Sequence, residues 1–240
     1  MLLEVKGLWG GYGGRPIVRG IDCRLEQGEV LSVVGPNGCG KTTFFRLLLG
    51  LIQPTQGDVR VGGVSLIGLP SGEVARRVAY IPQNHTPIFA YTVLDIVLMG
   101  RASQMRRYQS PRRIDRERAF EALERMGIEN LAHTPYTAIS GGQRQMVLIA
   151  RAICQDAKLL VMDEPGASLD YANQQRLMDV IGELAEMGYG VVLSTHNPEH
   201  PFTVADRALL MQEGEAVAFG PPIEALCGER LGEVYGMEMD

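Results

Sequence analysis

The chain has 240 residues and 45% hydrophobic content, enough to bury a substantial core as one large domain or two small ones. Its formal net charge of -5 argues against a dedicated nucleic-acid binder, which presents a strongly basic face. Its apolar runs stop short of the roughly 18–20 residues that cross a bilayer: 44–52 and 146–153 are interrupted by Arg46, Gly50 and Arg151. The first ten residues carry Glu4 and no apolar h-region, so no signal peptide is expected. Cys23, Cys39, Cys154 and Cys227 are scattered without the spacing of a zinc site or redox dithiol, which fits a reducing cytoplasm.

Short apolar runs alternate with longer helical patterns, which predicts an α/β fold around a largely parallel sheet. Residues 2–5 and 21–25 read as strands of an antiparallel flap, and 29–34 as a buried strand that turns into a helix over 41–49. Between them Gly35-Pro36-Asn37-Gly38-Cys39-Gly40-Lys41-Thr42 follows G-x-x-x-x-G-K-[ST] in the strand–loop–helix setting that the phosphate-binding motif requires. Glycines let the backbone wrap around phosphates with its N–H groups inward, and the helix adds its positive end. In that arrangement Lys41 reaches the β- and γ-phosphates, the Thr42 hydroxyl ligates Mg2+ and Thr43 adds a donor near the α-phosphate. Cys39 reads as a tolerated small residue, placed where a helix end can lower a thiol pKa.

Val78–Ile81 is a further apolar strand, followed by Gln83. From 84 to 157 the pattern becomes mostly helical, predicting an inserted subdomain in which Val93, Ile96, Val97 and Met99 read as core-facing. Its middle, 101–118, holds Arg101, Arg106, Arg107, Arg112, Arg113, Arg116 and Arg118 against Asp115 and Glu117. Such a run is a solvated helical face or a contact for anionic headgroups or a partner's cytoplasmic loops.

Ser140-Gly141-Gly142-Gln143 opens another helix, either as an ordinary cap or as a second anion site. One ATP needs one phosphate loop, so a surplus site makes sense if Ser140 and Gly142 contact the γ-phosphate of an ATP held by another subunit. Leu159–Met162 ends in Asp163 and Glu164. Alone such a pair is a surface turn; following a phosphate loop it reads as the Mg2+-holding acid and the general base for the attacking water. Residues 191–194 form another central strand, after which the imidazole of His196 can cap the strand or bond phosphate. These polar clusters all lie at strand C-termini, where ligands of open α/β sheets bind. A short helical tail over 223–227 and 230–235 closes the chain. The expected organisation is a single domain, 1–240, with a catalytic core of 1–83 and 158–220, a helical subdomain of 84–157 and a tail of 221–240.

Taken together, GPNGCGKTT, ISGGQRQ and LLVMDEP resemble the ABC ATPase family over nearly the whole chain. The resemblance implies the P-loop NTPase ABC ATPase fold, with a mainly parallel central sheet, an antiparallel β flap and an inserted helical subdomain. It further implies that Tyr12, in GGYGGRPIV, stacks on adenine, and that Gln83, in YIPQN, senses Mg2+ and the γ-phosphate near a membrane subunit. Ser168-Leu169-Asp170 matches the loop that crosses the dimer interface, and His196, in LSTHN, the switch histidine at the γ-phosphate. ATP is then expected between Tyr12, Gly35, Pro36, Asn37, Gly38, Cys39, Gly40, Lys41, Thr42 and Thr43 of one subunit and Ser140, Gly141, Gly142, Gln143 and Asp170 of the other. Mg2+ falls to Thr42, Gln83 and Asp163, and catalysis to Glu164, His196, Gln83 and Lys41. Departures are Ile139 for the commoner Leu, Gly166 where Thr is usual and Ser168 where Ala is usual, so Asp170 is the firmer interface contact. No nucleotide-site residue is degenerate, which implies a competent ATPase.

The stretch over 81–101, IPQNHTPIFAYTVLDIVLMGR, resembles ATPases of importers for iron–siderophore, haem, cobalamin and the related molybdate/tungstate systems. Zinc and manganese importers carry a similar segment. The implied partners are a second copy in an ATP-closed homodimer, two polytopic permease subunits and a substrate-binding protein, with no nucleic acid, at the cytoplasmic face of the inner membrane. A soluble ATPase of iron–sulfur cluster assembly has similar length, but YTVLDIVLMGR favours a membrane coupler. DNA-repair relatives insert long coiled coils between phosphate loop and signature, and no heptads separate Lys41 from Ser140 here. Translation-acting relatives carry two cassettes, and this chain has one.

Overall fold

The computed structural model describes residues 1–83, 91–105, 110–167, 169–197 and 199–236. The chain runs β1 (Leu3–Tyr12), β2 (Arg15–Leu25), β3 (Val30–Val34), α1 (Lys41–Leu48), β4 (Gln56–Val61), β5 (Val64–Ser65) and α2 (Ser71–Ala75). It continues through β6 (Val78–Ile81), α3 (Val93–Leu98), α4 (Arg113–Arg125), α5 (Gly141–Cys154), β7 (Leu159–Met162), α6 (Tyr171–Glu186) and β8 (Gly190–Thr195). Last come α7 (His200–Val204), β9 (Arg207–Gln212), β10 (Glu215–Gly220), α8 (Pro222–Ala225) and α9 (Gly228–Tyr235).

The main sheet has the order β10-β9-β3-β8-β7-β6. All its neighbours are parallel except the β9–β10 pair. Strands β3, β7 and β8 are buried along their whole length, which is why they read as unbroken apolar runs: a parallel sheet is covered on both faces. The second sheet, β2-β1-β4-β5, is antiparallel. Its inner residues Leu3, Val5, Leu8, Val18 and Ile21 share a core with Phe44, Phe45, Leu47 and Leu48 of α1.

That flap is much longer than the 2–5 and 21–25 segments expected from the sequence. Register shifts between Val5 and Gly11 break the two-residue alternation that signals a strand. Backbones also approach closely there: Gly57 sits at φ 84, and a Cβ on it would stand 2.2 Å from the Gly7 carbonyl oxygen. Strands β4, β5, β9 and β10 have no counterpart in the sequence reading.

The helical segment packs on one face of the main sheet rather than apart from it. Val97, Leu123, Val147 and Ile149 form one continuous core with Ile81, Leu160 and Leu193. Val93, Ile96 and Val97 are buried as expected, but Met99 is 41% exposed. The helical period puts it four residues after Asp95, on the face of α3 that Asp95 leaves exposed. The tail packs under the main sheet: Ala225, Leu226 and Val234 join Val34, Ala208 and Leu210.

The arginine run resolves mostly into local pairs. Arg101 is buried and donates to Asp115 Oδ1 at 3.3 Å and to the Cys154 carbonyl at 3.1 Å. Arg112 meets Asp115 Oδ2 at 3.4 Å, Arg113 meets Glu117 at 3.1 Å and Arg118 meets Asp156 at 3.8 Å. Arg106 and Arg107 lie outside the described residues. Burial pushes the Asp115 carboxyl up, but the Arg112 amide and the Arg101 and Arg112 guanidinium groups outweigh it and hold its pKa below the usual value. Its contribution to stability is therefore present above the unfolded value of about 3.9 and is lost as pH falls through the lower folded value. Asp115→Ala leaves Arg101 buried without a counter-charge and should cost about 3 kcal/mol, the low end for a broken buried pair because Arg112 stays solvated. Denaturant midpoints across pH check this: the variant should be weaker at neutral pH, and its deficit should shrink below about pH 4.

Candidate nucleotide site

Parallel strands deliver their C-terminal ends to one edge, and the order β3-β8-β7-β6 fixes the sequence of groups along it. On that edge lie the 35–40 loop, then His196, then Asp163 and Glu164, then Gln83. This is the edge where ligands bind in open α/β sheets.

The loop enters α1 through Gly40 at φ 109, with no side-chain cap and no acidic residue in the first helical turn. The leading N–H groups of α1 are thus left for an anion, and a left-handed N-cap favours glycine. The Lys41 side chain is buried, its Nζ donating to the Gly35 carbonyl at 2.6 Å and the Pro36 carbonyl at 3.2 Å. Thr42 is exposed and Thr43 buried. From behind, the β9–β10 turn props the loop, the Gly214 amide donating to the Cys39 carbonyl at 2.8 Å. The Cys39 thiol is buried. Burial raises its pKa, outweighing Lys41 and the backbone donors that pull it down, so the helix end does not activate it.

Asp163 Oδ1 accepts from the Ser194 hydroxyl at 2.8 Å. The Glu164 amide donates to the same hydroxyl at 2.8 Å. Glu164 Oε2 accepts from Gln83 Nε2 at 2.9 Å and lies 3.5 Å from His196 Nδ1. Three residues chosen from the sequence, each placed after a different strand, thereby meet at one carboxylate oxygen. Tyr12 is exposed near the end of β1, and its hydroxyl accepts from Arg46 of α1 at 2.6 Å, which holds the ring against the helix that begins at Lys41.

The signature residues form a separate patch. Ser140 caps α5 in a capping box: its hydroxyl accepts from the Gln143 amide at 3.2 Å, and Gln143 Oε1 accepts from the Ser140 amide at 2.9 Å. Asp170 caps α6 through the Asn173 amide at 2.8 Å and takes Asn173 Nδ2 on both oxygens at 3.0 Å. A Cβ on Gly142 would stand 2.6 Å from Asn173 Oδ1, so the SGGQ helix start and the Asp170 loop abut. Gly141 is exposed beside them. Among the described residues no hydrogen bond or ion pair joins this patch to the 35–43 loop. Ser168 lies outside the described residues, as does 84–90 of the importer-like stretch.

Sequence reasoning missed Ser194, Arg46 and Asn173. Ser194 was the most legible of them, since its hydroxyl lies near the C-terminal end of an apolar, fully buried strand, the edge where the site's polar groups gather. The donor chemistry suits a magnesium nucleotide: the Thr42 hydroxyl, the Gln83 amide and Asp163 are hard oxygen donors. Among the described residues no cluster of three or more His, Cys, Asp or Glu side chains is positioned to hold a metal alone. A cation that takes one or two carboxylates and completes its shell with phosphates needs none.

A family model described as ABC transporter matches residues 18–167. An uncharacterised ABC transporter ATP-binding protein of Haemophilus influenzae is 40% identical over 235 residues, covering 98% of this chain and 89% of that protein. The molybdate import ATP-binding protein MolC of the same organism is 37% identical over 216 residues, covering 90% of this chain and 80% of that protein. A solved structure described as an inward-facing conformation of a metal-chelate type ABC transporter superposes with a TM-score of 0.88 at 34% identity, covering 98% of this chain and 89% of that one. The matched span carries the loop, the signature helix and the paired carboxylates, and so the chain belongs to the ABC transporter ATP-binding family and is an ATPase.

Proposed function

We propose that this ATPase powers an importer of metal chelates, such as iron–siderophore, haem or cobalamin, or of a related metal oxyanion. The observation that carries the hydrolytic part is the meeting of Gln83 and His196 on Glu164 Oε2, beside Asp163. The import and cargo class rest on the likeness to a molybdate importer subunit and a metal-chelate type transporter.

In this reading Lys41 exchanges the Gly35 and Pro36 carbonyls for the β- and γ-phosphates of ATP, while the loop amides and the start of α1 hold the rest of the triphosphate. Tyr12 stacks on adenine. Glu164 takes the proton of the attacking water, and His196 hydrogen-bonds the γ-phosphate. Thr42, Gln83 and Asp163 are the residues that would hold Mg2+, which when bound would supply positive charge to offset the negative charge of the phosphates. The Ser140–Gly142 helix start, exposed at Ser140 and Gly141, and Asp170 close over the ATP of a second copy, since among the described residues no hydrogen bond or ion pair ties them to the loop of their own protomer. A head-to-tail two-fold dimer uses both patches on both copies. Contacts made only in the closed state let ATP shift the equilibrium toward it. The helical segment 84–157 then moves against the core of 1–83 and 158–220.

No helix among the described residues is long and apolar enough to cross a membrane, so the proposed place at the cytoplasmic face depends on a permease. An open groove of about 460 Å³ between the core and the helical segment suits a cytoplasmic segment of that partner. Leu51, 66% exposed, and Met99 stand on its rim. Tyr80 lines it on β6, the strand that leads to Gln83.

Glu164→Gln should keep ATP binding, lower phosphate release about 10²–10⁴-fold and leave a dimer that persists on size exclusion with ATP. Near-normal phosphate release would remove Glu164 from the base role. Leu51→Glu combined with Met99→Glu should abolish co-purification with the permease while basal ATPase stays unchanged; retained co-purification would exclude the groove.

A further inference from the structure

We propose that Ser194 is a positioning residue for hydrolysis, its single hydroxyl setting Asp163 and Glu164 relative to each other and to the strand that carries His196. The inference rests on the assignment of those two acids to Mg2+ and to the attacking water.

Ser194 is 0% exposed on β8, directly after Leu193, the register partner of Met162 on β7. Where the two strands end, their roles diverge. The Asp163 amide still finds a strand acceptor, the Ile81 carbonyl at 2.9 Å. Glu164 leaves the strand at φ 45, a left-handed conformation uncommon for a residue with a side chain. Its amide donates not to a strand carbonyl but to a side chain of the neighbouring strand β8, Ser194 Oγ at 2.8 Å. The same oxygen donates its proton to Asp163 Oδ1 at 2.8 Å.

A hydroxyl has one proton to give, and here it goes to the acid assigned to Mg2+ while a lone pair secures the backbone of the acid assigned to water. Asp163 has one oxygen committed to Ser194, and the Tyr80 hydroxyl on β6 reaches the same carboxylate from the strand on the other side. Glu164 is held in a backbone state from which its carboxylate reaches Gln83 and His196. Because His196 comes two residues later along the same chain segment, the hydroxyl ties all three groups to one frame. Removing it takes the partner from a part-buried amide and from a buried carboxylate oxygen at once, and unmet polar groups of that kind move to recover a partner.

A neighbouring serine supplies the control. Ser32 on β3 is equally buried, pairs in register with Leu193, and its hydroxyl has no hydrogen-bond partner among the described residues. Ser32→Ala removes a hydroxyl from the same sheet without touching either acid.

The test compares Ser194→Ala, Ser194→Thr and Ser32→Ala in ATPase assays. Mg2+-dependent nucleotide binding is measured in parallel in the hydrolysis-blocked Glu164→Gln background. Ser194→Ala should lower kcat roughly ten- to a hundredfold, the scale of a small misplacement of reacting groups, with KM for ATP within about twofold. It should also raise the Mg2+ concentration needed for half-maximal nucleotide binding, while binding in EDTA stays unchanged. Ser194→Thr should restore most of both, and Ser32→Ala should match the parent. If Ser194→Ala does not fold, Ser194→Cys, whose thiol donates only weakly, carries the same comparison and the same expected losses. Unchanged kcat and Mg2+ dependence in the folded variant overturns the proposal, as does an equal loss in Ser32→Ala. A Glu164→Gln protein that hydrolyses normally sinks the underlying assignment of the acids instead, so the two failures are told apart.

Discussion

In a parallel sheet the residue after each strand emerges on the same edge, and the order of strands decides who meets whom. Here β3, β8, β7 and β6 stand side by side, which sets the 35–40 loop, His196, the Asp163–Glu164 pair and Gln83 in one row. Residues scattered across the chain become neighbours because four short apolar strands pair without register shifts. The buried Val, Leu and Ile side chains that cement those strands are thus as necessary to the chemistry as the polar groups at their ends. A one-residue slip of β7 would turn its whole set of side chains over and carry Glu164 away from its partners.

That arrangement explains which parts are legible in the sequence. Strands β6 and β7 can be read with their observed bounds, and β3 and β8 to within a residue at each end, because burial on both faces leaves an unbroken apolar run. The flap is underestimated, since its glycines and bulges erase the alternating pattern. β10 is mostly exposed or half-buried and so carries little apolar signal. Local motifs announce the loop, the acids and the signature, but not how they are held. Ser194 reaches its partners across two strands, and Arg46 reaches Tyr12 from a helix to a hairpin. Long-range contacts of that kind leave no periodicity to read. The balance at the Cys39 thiol is hidden from the sequence for a related reason. A helix terminus and a nearby lysine are visible in sequence, whereas burial, which here prevails, is a property of the assembled fold.

In the signature region, the atoms proposed to meet a second copy's ATP also hold the starts of their own helices. Ser140 and Asp170 each close the start of a helix within their own protomer, which fixes their place without help from a partner. Gly142 abuts Asn173, which is bonded to Asp170. The two segments therefore form one preset surface rather than two loose loops. Preorganisation of this sort lowers the ordering cost of association, the cost that the proposed closure with a second copy would otherwise meet.

The last helix sits in an unusual place for a terminal element. Val34, the residue just before the phosphate loop, packs in the same small cluster as Leu226 and Val234. The Tyr235 hydroxyl is buried toward the Gly35 amide and Cys39 without a well-formed hydrogen bond. A short surface helix is the first kind of element to open on warming or in mild denaturant. In this molecule such fraying would remove a wedge from beneath the nucleotide cradle. Grip on ATP would then slacken while the sheet above it was still intact, making loss of affinity an early herald of unfolding rather than its aftermath.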